Sequence, residues 1–322
     1  MSSALSPDID REAWLAARRK GIGASEIAAV LGISPWESPF SLFWRKVQGW
    51  DFEPSAEMEW GNRLEPAVAQ KYADANPGVA LVAGELMTGH EPWMLATPDR
   101  LVRELCSCTP EDCDWDNGYG VCRVCEGWGY RPTSRVLELK TAHSADGWGE
   151  PGTSDIPVHY RAQVQWQMAV VDVEWADLAV LIGGSDYREY TVLRDEKDIA
   201  VMVEAGRRFM ARIEAGDPPP LDDHHATLAT VKRLHPDLDD TEAQIPPDIA
   251  AGYRRACAME RTAKRVKARY ETRLRDAMGR ARRATSGGTF VASRSIYEVD
   301  GHTVKAHTVD RLNPARAKKE PS

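Results

Sequence analysis

Three side chains on two short segments could do chemistry together. Thr97-Pro98-Asp99 leads into a predicted strand, Arg100 to Leu105, and Leu137-Glu138-Leu139-Lys140 lies in a second, Val136 to Thr141. Strand side chains alternate faces, so Leu137 and Leu139 point into a core while Glu138 and Lys140 point together to the other, solvent face. A hairpin between the two strands brings Asp99 beside Glu138. Two close carboxylates repel unless a cation lies between them. Their oxygens suit a hard ion such as Mg²⁺ or Mn²⁺. An ammonium group one step along completes what phosphodiester hydrolysis needs: a metal to activate water and a lysine to steady developing charge. Glu-x-Lys on a strand is, by itself, more often an ordinary solvated face. The surrounding elements carry the decision.

Those elements are predicted as follows. Ile9 to Lys20 forms a helix ending in Arg18-Arg19-Lys20, broken by Gly21-Ile22-Gly23. A second helix starts at Ala24-Ser25-Glu26 with Ser25 as N-cap. A basic helix end beside a fresh N-terminus suits a phosphate, or forms a plain helix hairpin with solvated charges. Phe40 to Val47 is a third helix. In a longer helix, Ala56 to Ala75, Trp60, Leu64, Val68 and Tyr72 repeat at helical spacing and face the core. Glu65 edges that stripe, as a boundary residue or as one that reaches the metal. Strands follow at Val79 to Val82 and Trp93 to Ala96. Pro157 to Val171 is an amphipathic helix, with Tyr160 and Gln163 one turn apart on a shared face and Gln165 and Gln167 nearby. Trp175 to Ile182 and Tyr187 to Leu193 form a hairpin around Gly183-Gly184. Asp195 to Glu214 is a helix ending at Gly216, and Pro218-Pro219-Pro220 marks a boundary. The pattern is α/β or α+β, a central mixed sheet flanked by helices.

Beyond the prolines, Ile249 to Ala284 reads as one long helix in which twelve Arg and Lys residues from Arg254 to Arg283 oppose Glu260, Glu271 and Asp276. It would lie along DNA phosphates or pair with another helix. Thr289 to Tyr297 and His302 to Val309 resemble a small terminal hairpin, and Asn313 to Ser322 reads as disordered. The expected domains are 1–222, with a cysteine-rich insert at 106–130, and 223–322.

At 322 residues, 43% hydrophobic and 28% charged, the composition is that of an ordinary globular protein. The net charge of −8 argues against a generic nucleic-acid coat but leaves room for a local basic groove. Residues 1–10 carry no apolar run, and no stretch approaches membrane-spanning length. The expectation is a cytoplasmic protein with no membrane partner. Five of the six cysteines, Cys106, Cys108, Cys113, Cys122 and Cys125, crowd into the loop of the catalytic hairpin. In a reducing compartment that clustering points to metal. Cys122-x-x-Cys125-x-Gly127-x-Gly129 resembles a half-site of the DnaJ-type zinc module. Four thiolates complete a structural zinc site, here Cys106 or Cys108 with Cys113, Cys122 and Cys125. An iron–sulfur cluster is the competing assignment.

The order of motifs resembles the YqaJ-type viral recombinases, relatives of phage lambda exonuclease in the PD-(D/E)xK nuclease superfamily. The matching pieces are Trp14 to Arg18, Gly21-Ile22-Gly23-Ala24-Ser25-Glu26, Gly61-x-x-x-Glu65, Thr97-Pro98-Asp99, Glu138-Leu139-Lys140 and Tyr160-x-x-Gln163-x-Gln165. The resemblance implies a restriction-endonuclease-like core and a phage-type 5′→3′ exonuclease, acting in the host cytoplasm if it is phage-encoded. With Mg²⁺ it would degrade one strand of linear duplex DNA and leave a 3′ single strand for an annealing protein. It implies that Asp99, Glu138 and the Leu139 carbonyl bind metal and that Lys140 assists the attacking water. Glu65 becomes a further active-site acid, and Tyr160 and Gln163 line the site. Arg18 and Ser25 hold a DNA phosphate. A ring-shaped trimer is also implied. The chain departs from the family pattern at Arg100, where glycine is usual, and in the cysteine insert. The competing readings are a site- or structure-specific endonuclease of the same superfamily and a non-catalytic zinc-bearing DNA-binding protein.

Overall fold

The computed structural model describes residues 18–50, 55–106, 113–114, 121–122, 125, 129, 131 and 135–297. The chain divides into two compact units, one running to Leu234 and one from His235.

The first unit is built on a five-stranded sheet. Its strands, numbered in chain order, are β2 (Val79–Ala83), β5 (Arg100–Glu104), β8 (Arg135–Ala142), β9 (Trp175–Ile182) and β10 (Asp186–Leu193). The spatial order is β10-β9-β8-β5-β2, with β8 and β9 parallel and every other neighbour antiparallel. A smaller sheet joins β1 (Ile22–Gly23), β4 (Met94–Ala96) and β3 (Met87–Thr88). Helix α1 (Ile27–Val30) follows a 3₁₀ turn over Ala24–Glu26; α2 is Pro39–Gln48, α3 Ala56–Ala75, α4 Val158–Val171, α5 Glu196–Ala215 and α6 His225–Leu234. This is a mixed α/β fold with a central sheet between helices.

Strand β8 lies at the centre and is covered on both faces. Leu137 and Leu139 pack with Val68, Ala69 and Tyr72 of α3. Val136 packs with Val164 and Met168 of α4. A strand buried on both faces leaves no solvent side. Glu138 therefore does not face water as its alternation suggested; it is 2% exposed beneath α4. The parallel pairing of β8 with β9 demands a crossover, and α4 supplies it.

Helix α4 is not amphipathic either. Val164 and Met168 face the large sheet, while Ala162, Trp166 and Val170 join a second core with Ile22, Leu42 and Phe209. A helix between two layers is buried around most of its circumference. Gln165 and Gln167 are fully buried rather than on the surface. Gln165 donates to the Leu193 carbonyl and accepts from the Asp195 amide, at 2.6 and 2.9 Å.

Helix α3 departs from expectation at its start. Residues 55–60 are all exposed, and Trp60, expected in the core, is 63% exposed. The helix overhangs the sheet for its first turns, and its apolar stripe meets the core only from Val68.

In the second unit, α7 (Pro247–Met278) has no buried residue. It stops before the expected Ala284 because Gly279 takes φ 50°, a left-handed conformation that breaks the helix. Arg283–Ser286 (β11) then pairs with Thr289–Ser293 (β12). Gly287 and Gly288, at φ 55° and 80°, make the two-residue turn. The second half of the expected pairing of Thr289–Tyr297 with His302–Val309 lies outside the described residues.

Candidate active site

The β5–β8 ladder runs from Val102–Arg135 to Arg100–Leu137 and stops there. The next amide of β8 on that side, Leu139 N–H, would be left unpaired. The Asp99 carboxylate accepts it at 2.7 Å. Asp99 is thereby fixed at the head of β5, opposite Glu138. A strand residue turns its N–H and C=O to the same neighbour, so the Leu139 carbonyl faces the same gap.

Glu138 is a buried charge, and such a charge persists only when paired. One oxygen accepts from the Lys140 ammonium and from Gln163 Nε2, and the other from Gln167 Nε2 at 2.6 Å. Two glutamines one turn apart on α4 thus hold the carboxylate that β8 presents. Gln167 is the member of this set that sequence reasoning left without a role. Its signal was present: a Gln-x-Gln-x-Gln run on a helix without a polar face.

The electrostatics follow from burial. Burial and the neighbouring Glu138 charge push the Asp99 carboxyl up to about 7, against the pull of Lys140 and the Leu139 amide; Glu65 pushes it further. Burial pulls the Lys140 ammonium down, but Glu138 and Asp99 outweigh it and hold the group above its ordinary range. Lys140 Nζ lies 5.1 Å from the Tyr160 ring centroid. Asp99, Glu138, Lys140, Tyr160 and Gln163 thus stand together at one end of β8.

Glu65 reaches this group through Arg100, whose Nη1 lies 2.8 Å from Glu65 Oε1 and also donates to the Asp99 carbonyl. Arg100 adopts no positive φ, so the usual glycine is not needed for the turn here. Instead the arginine spans two acidic residues.

Arg18 and Ser25 meet on the other side of α4. Arg18 Nη2 donates to Ser25 Oγ at 3.2 Å. Both line a cleft with Ala96, Thr97 and Gln163. Gln163 therefore borders the Arg18–Ser25 cleft and also touches Glu138. Ser25 is not an N-cap: Gly23 occupies that place, and its amide donates to Glu26 Oε2 at 2.8 Å. Ser25 is left exposed.

A buried ion network anchors this loop, and sequence reasoning missed it. Glu26, 4% exposed, is 2.8 Å from both Arg45 Nη2 and Lys46 Nζ. Lys46 also donates to the Gly21 carbonyl at 2.6 Å and the Arg18 carbonyl at 3.2 Å. Burial raises the Glu26 carboxyl, but Lys46, Arg45 and Arg18 outweigh it and hold the group at about 2. Nothing in the local pattern marks Lys46 of an amphipathic helix as buried.

Two donor sets could hold metal. The oxygen set, Asp99, Glu138 and the Leu139 carbonyl, keeps Asp99 partly protonated near neutral pH because positive charge is short there. That fits a hard divalent cation. The thiol set is Cys106, Cys122 and Cys125, whose sulfurs all lie within 4.8 Å of one another. Among the described residues no other His, Cys, Asp and Glu group of three is so close. Cys106 and Cys122 sulfurs are 3.9 Å apart. Tetrahedral Zn–S bonds of ≈ 2.3 Å place thiolates about 3.8 Å apart. Cys113 sits opposite Cys122 in the pairing of β6 (Cys113–Asp114) with β7 (Val121–Cys122). Cys108 lies outside the described residues. The base of the insert is closed by Cys106 N–H to Gly129 O and Arg131 N–H to Glu104 O, each 2.9 Å. The cysteine cluster is thus consistent with a metal-binding insert.

Comparison with known proteins places these features. A crystal structure of the alkaline exonuclease LHK-Exo from Laribacter hongkongensis is 20% identical, covering 70% of this chain and 100% of that one, with a TM-score of 0.46. A phage related exonuclease from Haemophilus somnus 129PT is 13% identical, covering 61% and 96%, with a TM-score of 0.39. The uncharacterized protein YqaJ of Bacillus subtilis (strain 168) is 27% identical over 249 residues, 74% of this chain and 68% of its own length. The family model for the YqaJ-like viral recombinase domain matches residues 13–174, half of the chain. Arg18, Asp99, Glu138, Lys140 and both glutamines that grip Glu138 fall inside that span, and the chain belongs to the YqaJ-like viral recombinase family.

Proposed function

We propose that this chain, a metal-dependent nuclease acting on DNA, degrades one strand of linear duplex in the 5′→3′ direction and leaves a 3′ single strand for an annealing protein. One observation carries the reading. Gln163 touches Glu138 and also lines the Arg18–Ser25 cleft, so a terminal phosphate held there would stand one side chain from the carboxylates.

Asp99, Glu138 and the Leu139 carbonyl would hold Mg²⁺ or Mn²⁺, with Glu65 behind Asp99. When bound, the ion supplies an acidified water and offsets phosphate charge. The chain's own groups do the rest. Lys140 keeps its proton and donates to the attacking water or to a phosphate oxygen. Gln163 and Gln167 fix the Glu138 oxygens, which leaves a lone pair on Oε2 for metal. Tyr160 backs Lys140 with its ring face. Arg18 offers a planar fork of donors to a terminal phosphate, and Ser25 adds a hydroxyl. A 5′ terminal phosphate carries more charge than an internal one, so this cleft selects that end. Zn²⁺ on Cys106, Cys113, Cys122 and Cys125 would clip the long β5–β8 loop without entering the chemistry. Helix α7 would add phosphate contacts. Assembly into a ring-shaped trimer belongs to the same reading.

The test is digestion of linear duplex labelled at either end, with Mg²⁺ or EDTA, beside a covalently closed plasmid. Release from 5′ ends only, with the plasmid intact, supports the reading. Nicking of the plasmid would indicate an endonuclease. No cleavage of any DNA with Mg²⁺ or Mn²⁺ would overturn it.

A further inference from the structure

Between α1 and α2 a short turn, Gly32 to Ser38, carries Trp36 at its tip. The turn is held from several directions. Ser34 Oγ accepts from the Trp36 and Glu37 amides, each at 3.2 Å. The Ser34 carbonyl is 3.1 Å from His224 Nε2. Ser38 Oγ meets Thr227 Oγ1 at 2.6 Å, and Glu37 receives Arg45 Nε at 2.7 Å. Ser34, Glu37 and Ser38 are each tied to another element, whereas Trp36 is 55% exposed.

Where the indole stands gives it a use. Its ring centroid is 4.9 Å from His159, edge-on, and 6.0 Å from Tyr160. Tyr160 lies 5.5 Å from Trp148 on its other side and carries the Lys140 ammonium over its ring. A run of tilted aromatic contacts thus leads from buried Trp148, through Tyr160, whose ring carries the candidate catalytic lysine, to an exposed indole. His159 is held below its ordinary pKa by burial and then by Lys140, so at neutral pH the edge facing Trp36 is uncharged. A rigid turn that sets a large aromatic surface in water, next to groups that handle phosphate, is built to receive another flat ring.

We propose that Trp36 is a base-stacking platform: its exposed face receives a nucleobase of the strand whose phosphodiester lies at Lys140 and Glu138. Stacking accepts every base because every base has a π face, so the contact holds the strand in register without reading sequence. The inference rests on the nuclease reading given above. It adds a base contact to a site otherwise made of phosphate contacts.

The experiment uses the full-length chain with Trp36→Ala and Trp36→Phe. Each is assayed on a linear duplex and on the same duplex carrying abasic residues at the first positions of the 5′ strand. Wild type should lose about tenfold in rate on the abasic substrate. Trp36→Ala should lose a similar factor on the ordinary duplex and nothing further on the abasic one. Trp36→Phe should restore most of the rate, with thermal melting unchanged in both variants. A binding arm stands apart from cleavage: in a Glu138→Gln background, single-stranded oligonucleotide affinity should fall on Trp36→Ala for normal but not abasic oligonucleotide. Equal behaviour of wild type and Trp36→Ala on ordinary duplex would overturn the platform. So would an equal loss on both substrates, which would assign Trp36 to holding Tyr160. If the wild-type chain cleaves no DNA, the nuclease reading fails, and the binding arm still decides whether Trp36 meets bases.

Discussion

The two candidate metal sites lie at opposite ends of one hairpin and are built on opposite plans. At the insert, three thiols already converge within 4.8 Å, one pair at the spacing of a tetrahedral zinc shell. At the far end of β8, each carboxylate is occupied by its own protein partner: Glu138 by Lys140, Gln163 and Gln167, Asp99 by the Leu139 amide, Glu65 by Arg100. A closed set of soft ligands suits a structural ion, and an open set of hard ones suits an ion that must also meet water and substrate. In the proposed function, the thiol site would stabilise by holding a metal, whereas the carboxylate site would work by keeping charge available beside a cleft.

That contrast can be broken most sharply by mutation. Lys140→Ala or Glu138→Gln should lower cleavage by at least about 10²- to 10³-fold, because a group that offsets transition-state charge, or a metal ligand, is lost. Zinc content, measured by elemental analysis, should be unchanged in both. Zinc loss in either variant would mean the two sites are coupled.

Cys122→Ser or Cys125→Ser should remove zinc, expected at about one per chain in freshly purified protein. Cleavage should fall about 10-fold, less than for Lys140→Ala, since the insert only clips a loop. Iron in place of zinc would contradict the assignment of the thiol site.

The pH dependence separates the sites again. Asp99 stands at about 7, raised by burial and by Glu138. Its proton competes with metal, so above that pH the Mg²⁺ concentration for half-maximal cleavage should be flat. Below it, the requirement should rise about tenfold per pH unit. A requirement that stays flat from pH 8 to pH 5.5 would remove Asp99 from the metal site. Glu26 moves the other way. Its carboxyl, held at about 2 by Lys46 and Arg45 against burial, contributes stability that is complete above its unfolded value near 4.5 and lost as pH falls towards 2. Glu26→Gln should therefore flatten the acid limb of a thermal-melt profile.

The smallest expected effect concerns α7. Between Pro247 and Met278 nine Lys and Arg face four Asp and Glu, in a chain of net charge −8. Removing residues 235–322 should leave cleavage measurable and make its salt dependence shallower. An unchanged salt slope would assign that helix to a protein partner.

Much of this architecture was legible. Alternation in Val136 to Thr141, the Gly183-Gly184 turn and the stop at Gly216 follow from local rules, and the central strands form where those rules put them. Two things were not legible. Alternation says that Glu138 and Leu137 point oppositely but not that both directions are covered; that depends on α4 crossing over β8, a tertiary fact. Likewise Lys46 and Gln167 look like surface residues until a partner across the fold makes them interior. Trp36 was hidden for the opposite reason: an aromatic residue in a turn resembles core, and only the assembled surface shows it exposed.

In the proposed function the Arg18–Ser25 cleft selects a 5′ terminal phosphate and sets it against the Asp99–Glu138 site. Its most direct test compares initial rates on linear duplexes that differ only in a 5′ phosphate or 5′ hydroxyl, at one salt concentration, for wild type and Arg18→Ala. The phosphorylated end should be degraded faster, and Arg18→Ala should lose this preference more than it loses duplex binding. Equal rates on the two ends by wild type, or resection that begins at the 3′ end, would contradict it.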